Sequence, residues 1–194
     1  MKNILAENLI AHQALFNIVV NDAQFQTQIV SVAETLVQTL KKGGKVLLCG
    51  NGGSAADAEH ISAEFVGSFG EYTKGLSAIS LTANSAVITS LANDFGYECV
   101  FEKQIETLAN EKDIVIGLTT SGKSENVLRA LKAAKCIGAG TIALCGAYTA
   151  QIEADTVIAV PSEDTARIQE IHLFIGHCLA QYVKEHFSKE EING

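Results

Sequence analysis

The 194-residue chain has no tryptophan, one proline, one methionine and few aromatic residues, and no segment of it is low in complexity. No apolar run approaches the ~18 residues of a transmembrane helix, which excludes a membrane-spanning class. Basic residues are in deficit, 14 Lys and Arg against 22 Asp and Glu, for a net charge of −8. Such a surface repels phosphate backbones and anionic lipids, so neither nucleic acid nor a membrane is expected as the partner. A small anionic ligand stays open, because backbone N–H groups at a helix N-terminus hold phosphate without net positive charge. The five cysteines contain no CxxC pair and are scattered, as reduced thiols of a cytoplasmic protein are. The opening MKNILAENLIAHQ interrupts any apolar core with Glu7, Asn8 and His12, so no signal peptide is expected.

What is present is regular. Leu5, Leu9, His12, Phe16 and Val19 recur at helical spacing, and after Asp22 the pattern continues through Val30, Leu36 and Leu40 to Lys41-Lys42-Gly43-Gly44. From there short apolar runs alternate with helical stretches. The runs are 45–49, 77–81, 113–118, 141–145 and 156–160, each apolar throughout, as strands buried on both faces of a parallel sheet are. Helices are expected over 55–69, about 84–108, 125–137, briefly near Gln151, and from 165 to about 187. The alternation predicts an α/β fold of one domain: a three-layer doubly wound sandwich with a five-stranded parallel sheet, preceded by two helices. Ligands of such sheets collect at the carboxyl ends of the strands.

Two glycine loops lie at those ends. Gly50-x-Gly52-x-x-Ala55 matches a dinucleotide fingerprint, but the second strand ends Leu81-Thr82-Ala83-Asn84 without the carboxylate that would hold a ribose. Gly117 to Ser124 matches a P-loop, yet the neighbouring strand ends Cys49, Leu81, Cys145 and Val160 offer no aspartate for magnesium. Both loops are small-residue turns that open a helix. Thr119, Thr120, Ser121 and Ser124 place four hydroxyls there, more than helix capping needs, and suit a phosphate monoester.

His60 and Glu64, four apart, share a helix face, which suits two metal ligands, a base beside its orienting partner, or an ordinary surface pair. The last helix carries Gln169, Glu170, His172 and His177 in an apolar stretch, where a histidine is first of all a hydrogen-bonded core residue. Gln169 and His177 are separated by about 12 Å along the axis and about 80° around it. If both serve one chemistry they come from different subunits. His12 and His186 read as structural or exposed.

The segments CGNGGSAADAEHISAEFVG, LANDFGYE, TTSGKSENVLRA and DTARIQEIH-x4-H together resemble the bacterial phosphoheptose (sedoheptulose 7-phosphate) isomerases of the flavodoxin-like sugar isomerase (SIS) fold, over nearly the whole chain. The resemblance implies an aldose–ketose isomerase converting sedoheptulose 7-phosphate to D-glycero-D-manno-heptose 7-phosphate through a cis-enediol, the first step of bacterial heptose synthesis. It implies a cytoplasmic homotetramer with active sites shared between subunits, residues 1–44 serving oligomerisation and 45–194 forming the core. It further implies sugar-phosphate contacts at Asn51, Gly52, Gly53, Ser54, Asn93, Asp94 and Gln169, and a phosphate held by Thr119, Thr120, Ser121 and Ser124. One zinc per subunit is implied on His60, Glu64, Gln169 and His177, with Glu64 and His177 as the catalytic pair, Glu64 also touching substrate. Two departures bear on the choice of sugar: Gly67 is followed by Ser68-Phe69 where members commonly carry arginine, and Thr82-Ala83-Asn84-Ser85 lacks an aspartate often found there. The alternatives are an isomerase of the same fold for another sugar phosphate, and a paralogue that gathers the replication initiator DnaA. The latter lacks the glutamate, which is present here.

Overall fold

The apolar runs assemble into one five-stranded, all-parallel sheet in the computed structural model, which describes residues 2–67 and 75–193. The strands are β1 (Val46–Cys49), β2 (Ala78–Ser80), β3 (Ile114–Thr119), β4 (Gly140–Cys145) and β5 (Thr156–Ala159), in the order β2-β1-β3-β4-β5. The helices are α1 (Lys2–Asn21), α2 (Ala23–Lys41), α3 (Gly53–Val66), α4 (Ser85–Phe95), α5 (Glu102–Leu108), α6 (Glu125–Ile137) and α7 (Thr165–Asn193), with a 3₁₀ turn at Tyr97–Cys99. Strand order reverses beside β1, so the crevice outside the carboxyl ends of β1 and β3 is the switch point of this doubly wound sheet.

Successive residues of a strand face opposite sides, and two cores result. Val46 and Leu48 join Ile116, Leu144 and Ile158 under α2, α3 and α7, whose Leu36, Phe65, Ile171 and Ile175 complete that layer. Leu47 and Cys49 point the other way, with Val115 and Ala143, onto Phe101, Ile105, Val127 and Leu131 of the α5–α6 layer. β1, β3 and β4 are buried almost throughout, as their unbroken apolar runs require. The second run differs from expectation. It is an edge strand, and its Ile79 is exposed because no further strand or helix among the described residues covers it.

Two helical expectations also need correction. The stretch 84–108 is not one helix: Gly96, at φ +93°, breaks it, and the chain turns through Tyr97–Cys99 before α5 starts. Near Gln151 there is no helix but a turn closed by Ile152 N–H on the Thr149 carbonyl, within a segment whose residues 147–150 are exposed and offer no face to bury. The end expected for α3 at Phe69 lies outside the described residues, and α7 runs past the expected 187 to Asn193. Helix ends carry the chemistry expected of them. Asp22 Oδ1 accepts from Phe25 N–H at the start of α2, Asn84 Oδ1 does so for Ala86 and Val87, and left-handed Gly138 closes α6.

α1 packs by Leu15 and Val19 against the α2–α7 layer. Phe16 is partly buried against the same layer, whereas Ile4, Leu5, Leu9, Ile10, Ile18 and Val20 are more than half exposed. No helix of the described residues is long and apolar enough to cross a membrane.

Candidate active site

The loop leaving β1 is fixed by close approach. A Cβ on Gly50 would lie 2.5 Å from the Ser54 carbonyl oxygen, and Gly52 takes φ +56°, so both positions favour glycine. Ser54 is buried at the start of α3, its N–H on the Asn51 carbonyl. The Asn51 side chain makes a reciprocal amide pair with Asn126 of α6, 2.8 Å in each direction, and its Oδ1 also accepts from the Tyr97 hydroxyl at 3.0 Å.

The hydroxyl-rich loop after β3 is bonded largely to itself. Buried Thr119 donates its hydroxyl to Ser124 Oγ (3.0 Å), Gly122 N–H returns to the Thr119 carbonyl, and Lys123 N–H donates to Ser121 Oγ. Gly146 N–H holds the Thr120 carbonyl. Gly122 takes φ +65° with its missing Cβ only 2.1 Å from the Tyr148 carbonyl oxygen. Lys123, the P-loop lysine by spacing, instead lies over the Tyr148 ring, 4.4 Å from its centroid. Asn93 and Asp94 are exposed in the last turn of α4 and bonded to each other, Asn93 Nδ2 to Asp94 Oδ1 at 2.9 Å. Tyr97 ties the segment that follows them to Asn51. The departure at Thr82–Ser85 also has local uses: Thr82 donates to Glu59 Oε1 and Asn84 caps α4.

α3 and α7 pack as parallel neighbours in a constant register. Gly53 faces Gln169, Ile61 faces Gly176, and His60 meets His177, 117 residues on. Glycine at 176 permits the approach, since a Cβ there would lie 2.3 Å from Ile61 Cγ1. His60 Nε2 is 2.9 Å from His177 Nε2 and 3.4 Å from Glu64 Oε1, and the three donor atoms lie within 4.8 Å of one another. Beyond them, buried Lys184 of α7 donates its ammonium to the Gly67 carbonyl at the end of α3. Burial pushes Lys184 down from the ordinary lysine range, and the Glu64 carboxylate pulls the other way. One turn before His60, Asp57 Oδ2 is buried without a hydrogen-bond partner, and that burial raises its carboxyl against the opposing charge of His60.

A family model described as the SIS domain matches residues 14–146. A phosphoheptose isomerase of Clostridium acetobutylicum is 43% identical over 195 aligned residues, covering all of both chains. That of Aquifex aeolicus is 51% identical over 164 residues, 83% of this chain and 85% of its own. The solved phosphoheptose isomerase of Francisella tularensis superposes with a TM-score of 0.89 at 34% identity, covering 94% of this chain and 97% of that one. The chain belongs to the phosphoheptose isomerase family. The α/β fold expected from the sequence is the fold of these relatives.

As a phosphoheptose isomerase family member it can be tested for the metal that the resemblance implies. A tetrahedral zinc with bonds of about 2.0–2.1 Å needs donors about 3.3 Å apart. The 2.9 and 3.4 Å separations at His60 bracket that, and two imidazoles with one carboxylate are zinc's usual donors, so the residues fit. Gln169 stands apart from the three. It packs on Gly53, whose Cβ would meet its Nε2 at 2.5 Å, two turns of α7 before His177. The structure thus gathers His60, Glu64 and His177 at one place, and Asn51–Ser54, Thr119–Ser124 and the Asn93–Tyr97 segment at another. Ser68 lies outside the described residues. Sequence reasoning passed over Asn126, Tyr97 and Lys184. An asparagine straight after the hydroxyl loop and a lysine in an otherwise apolar stretch of α7 were the available signals.

Proposed function

We propose that the protein interconverts sedoheptulose 7-phosphate and D-glycero-D-manno-heptose 7-phosphate, the first step of heptose synthesis for bacterial surface glycans. The observation that carries the reading is the pairing of Glu64 on α3 with His177 on α7, donor atoms within 4.8 Å, in a chain that also presents a self-bonded hydroxyl loop suited to a phosphate. Isomerisation moves a hydrogen between adjacent carbons, and a carboxylate and an imidazole divide that work. Glu64 takes the proton from C1 of the ketose while His177 gives one to the C2 oxygen, and the cis-enediol forms. Glu64 then returns its proton to C2 as the O1 proton passes to His177, leaving the aldehyde. Each group contributes about 10²–10⁴-fold. Zinc on His60, Glu64, His177 and a Gln169 would supply positive charge beside the substrate's oxygens.

The phosphate lies on Thr119, Thr120, Ser121 and Ser124, with Asn51, Gly52, Gly53, Ser54, Asn93 and Asp94 along the sugar. α3 leads away from the crevice, so within one protomer Glu64 stands about 16 Å along the helix from Gly53, farther than a heptose reaches. The site is therefore shared between subunits, and the family resemblance makes the assembly a homotetramer with residues 1–44 in the contacts. The uncovered apolar face of α1 and the separation of Gln169 from His177 support that arrangement. The chain is a single domain of the cytoplasm, in keeping with its five free cysteines. The test is turnover of sedoheptulose 7-phosphate by zinc-supplied protein, followed by NMR, with Glu64→Gln alongside. Aldose from the wild type alone supports the reading, and no aldose from folded protein rejects it.

A further inference from the structure

The two loops of the crevice share no backbone hydrogen bond beyond the last strand pair, Cys49 with Gly117, among the described residues. The amide pair of Asn51 and Asn126 is what links them. Its orientation is set by the Val127 N–H, which can only donate and is shared with the Ser124 carbonyl. Val127 N–H donates to Asn126 Oδ1 at 3.0 Å, so that atom is oxygen, and Nδ2 is left to meet Asn51 Oδ1. Asn126 is 3% exposed, and Asn51 is half-buried. With the Tyr97 hydroxyl as third member, the pair joins the segments after β1, after α4 and after β3. Neither asparagine side chain bonds within the hydroxyl loop, which keeps its shape through Thr119, Ser121, Ser124 and Gly146.

We propose that Asn126 is a positioning residue that, by pairing with Asn51, sets the separation between the phosphate-holding loop and the sugar-binding loop at the head of α3. The inference rests on the sugar-phosphate reading of the crevice. It also gives Asn51 a definite part: its side chain is engaged by Asn126 and Tyr97, and its backbone is the face left for the sugar. A ligand that touches both loops depends on their separation, and one that touches only the hydroxyl loop does not.

The experiment compares sedoheptulose 7-phosphate with inorganic phosphate by calorimetry, in wild type, Asn126→Ala, Asn51→Ala and the double variant, with thermal unfolding of each. Leaving one amide of the buried pair unpartnered is expected to weaken sugar-phosphate binding about tenfold. Phosphate affinity is expected to stay within about twofold, because contacts outside the changed pair are independent of it. Displacing the sugar relative to its catalytic groups is expected to lower kcat about 100-fold where the wild type turns over. The double variant is expected to be no worse than the poorer single one, since both remove the same interaction.

Parallel loss of both affinities overturns the proposal, because the pair would then belong to the phosphate loop itself. A larger loss in Asn51→Ala with additive effects also overturns it, since the Asn51 amide would then reach the sugar directly. If Asn126→Ala does not fold, Asn51→Ala must by itself separate the two affinities. Wild type that binds the sugar phosphate without isomerising it ends the isomerase reading and leaves the affinity ratio as the test of the pair. Failure to bind it at all ends both.

Discussion

The two halves of the candidate site differ in how far one protomer completes them. The hydroxyl loop after β3 is finished within the chain: Thr119 is buried, its hydroxyl is bonded to Ser124, and Gly122 is pressed against the Tyr148 carbonyl. The α3–α7 cluster is open. The His60 side chain is 48% exposed, with Glu64 and His177 partly buried beside it. If the site is shared between subunits as proposed, the chemistry, and not the recognition of phosphate, waits on assembly.

The sharpest way to break this comparison is Glu64→Gln. Turnover is expected to fall by about 10²–10⁴, the contribution of one general base, with inorganic phosphate affinity unaltered by titration calorimetry. A rate within a few-fold of wild type would remove Glu64 from the chemistry. Next in size is the α1 face. Leu9→Glu with Ile10→Glu puts charge on two exposed apolar positions, and light scattering is expected to report a smaller species whose turnover is down about 100-fold for want of a catalytic partner. An active monomer would show that one protomer suffices. Gly122→Ala attacks the closed half instead. A side chain at φ +65° against the Tyr148 carbonyl costs about 1–3 kcal/mol, so phosphate affinity is expected to drop about tenfold with the α3–α7 cluster untouched.

A further effect concerns acid. His172 is buried behind both halves, Nε2–H donating to the Cys145 carbonyl at 3.2 Å, and burial pushes its pKa from 6.5 down to about 4. The unfolded chain therefore takes up this proton first, so stability is whole above the ordinary histidine range and is lost as pH falls from about 6.5 towards 4. The loss amounts to about 3 kcal/mol at most. Chemical denaturation at pH 7 and pH 4.5 should show a shallower decline in His172→Gln, whose amide can still donate to Cys145. Equal declines would place the acid sensitivity elsewhere.

How much of this was legible in the sequence depends on the range of the interaction. The strands announced themselves because burial on both faces demands unbroken apolar runs, and 113–118 and 141–145 lie within a residue of β3 and β4. The break at Gly96 was missed because the apolar pattern continues across it, and only a backbone conformation reserved for glycine reveals the turn. In the candidate site, the proposed residues that form a local motif are legible in the sequence: Thr119 to Ser124 by composition, His60 with Glu64 by helical spacing. The meeting of His60 with His177 is a packing fact between distant segments, although the poor fit of Gln169 and His177 on one helix was already arithmetic. Asn126 and Lys184 were hidden for a related reason. An asparagine early in a helix and a lysine late in one are ordinary, and only burial gives them meaning.

The parallel seam of α3 and α7 has a consequence for how the chain can change length. Gly53 to Gly67 is matched against Gln169 to Lys184 nearly residue for residue. One residue inserted in either span would turn everything beyond it by about 100° and advance it about 1.5 Å, carrying one histidine off the other. The connections between the two spans carry no helical register of this kind, although Tyr148 at the exposed turn is held against Gly122 and Lys123. Within the matched spans the two helices can therefore vary only by substitution.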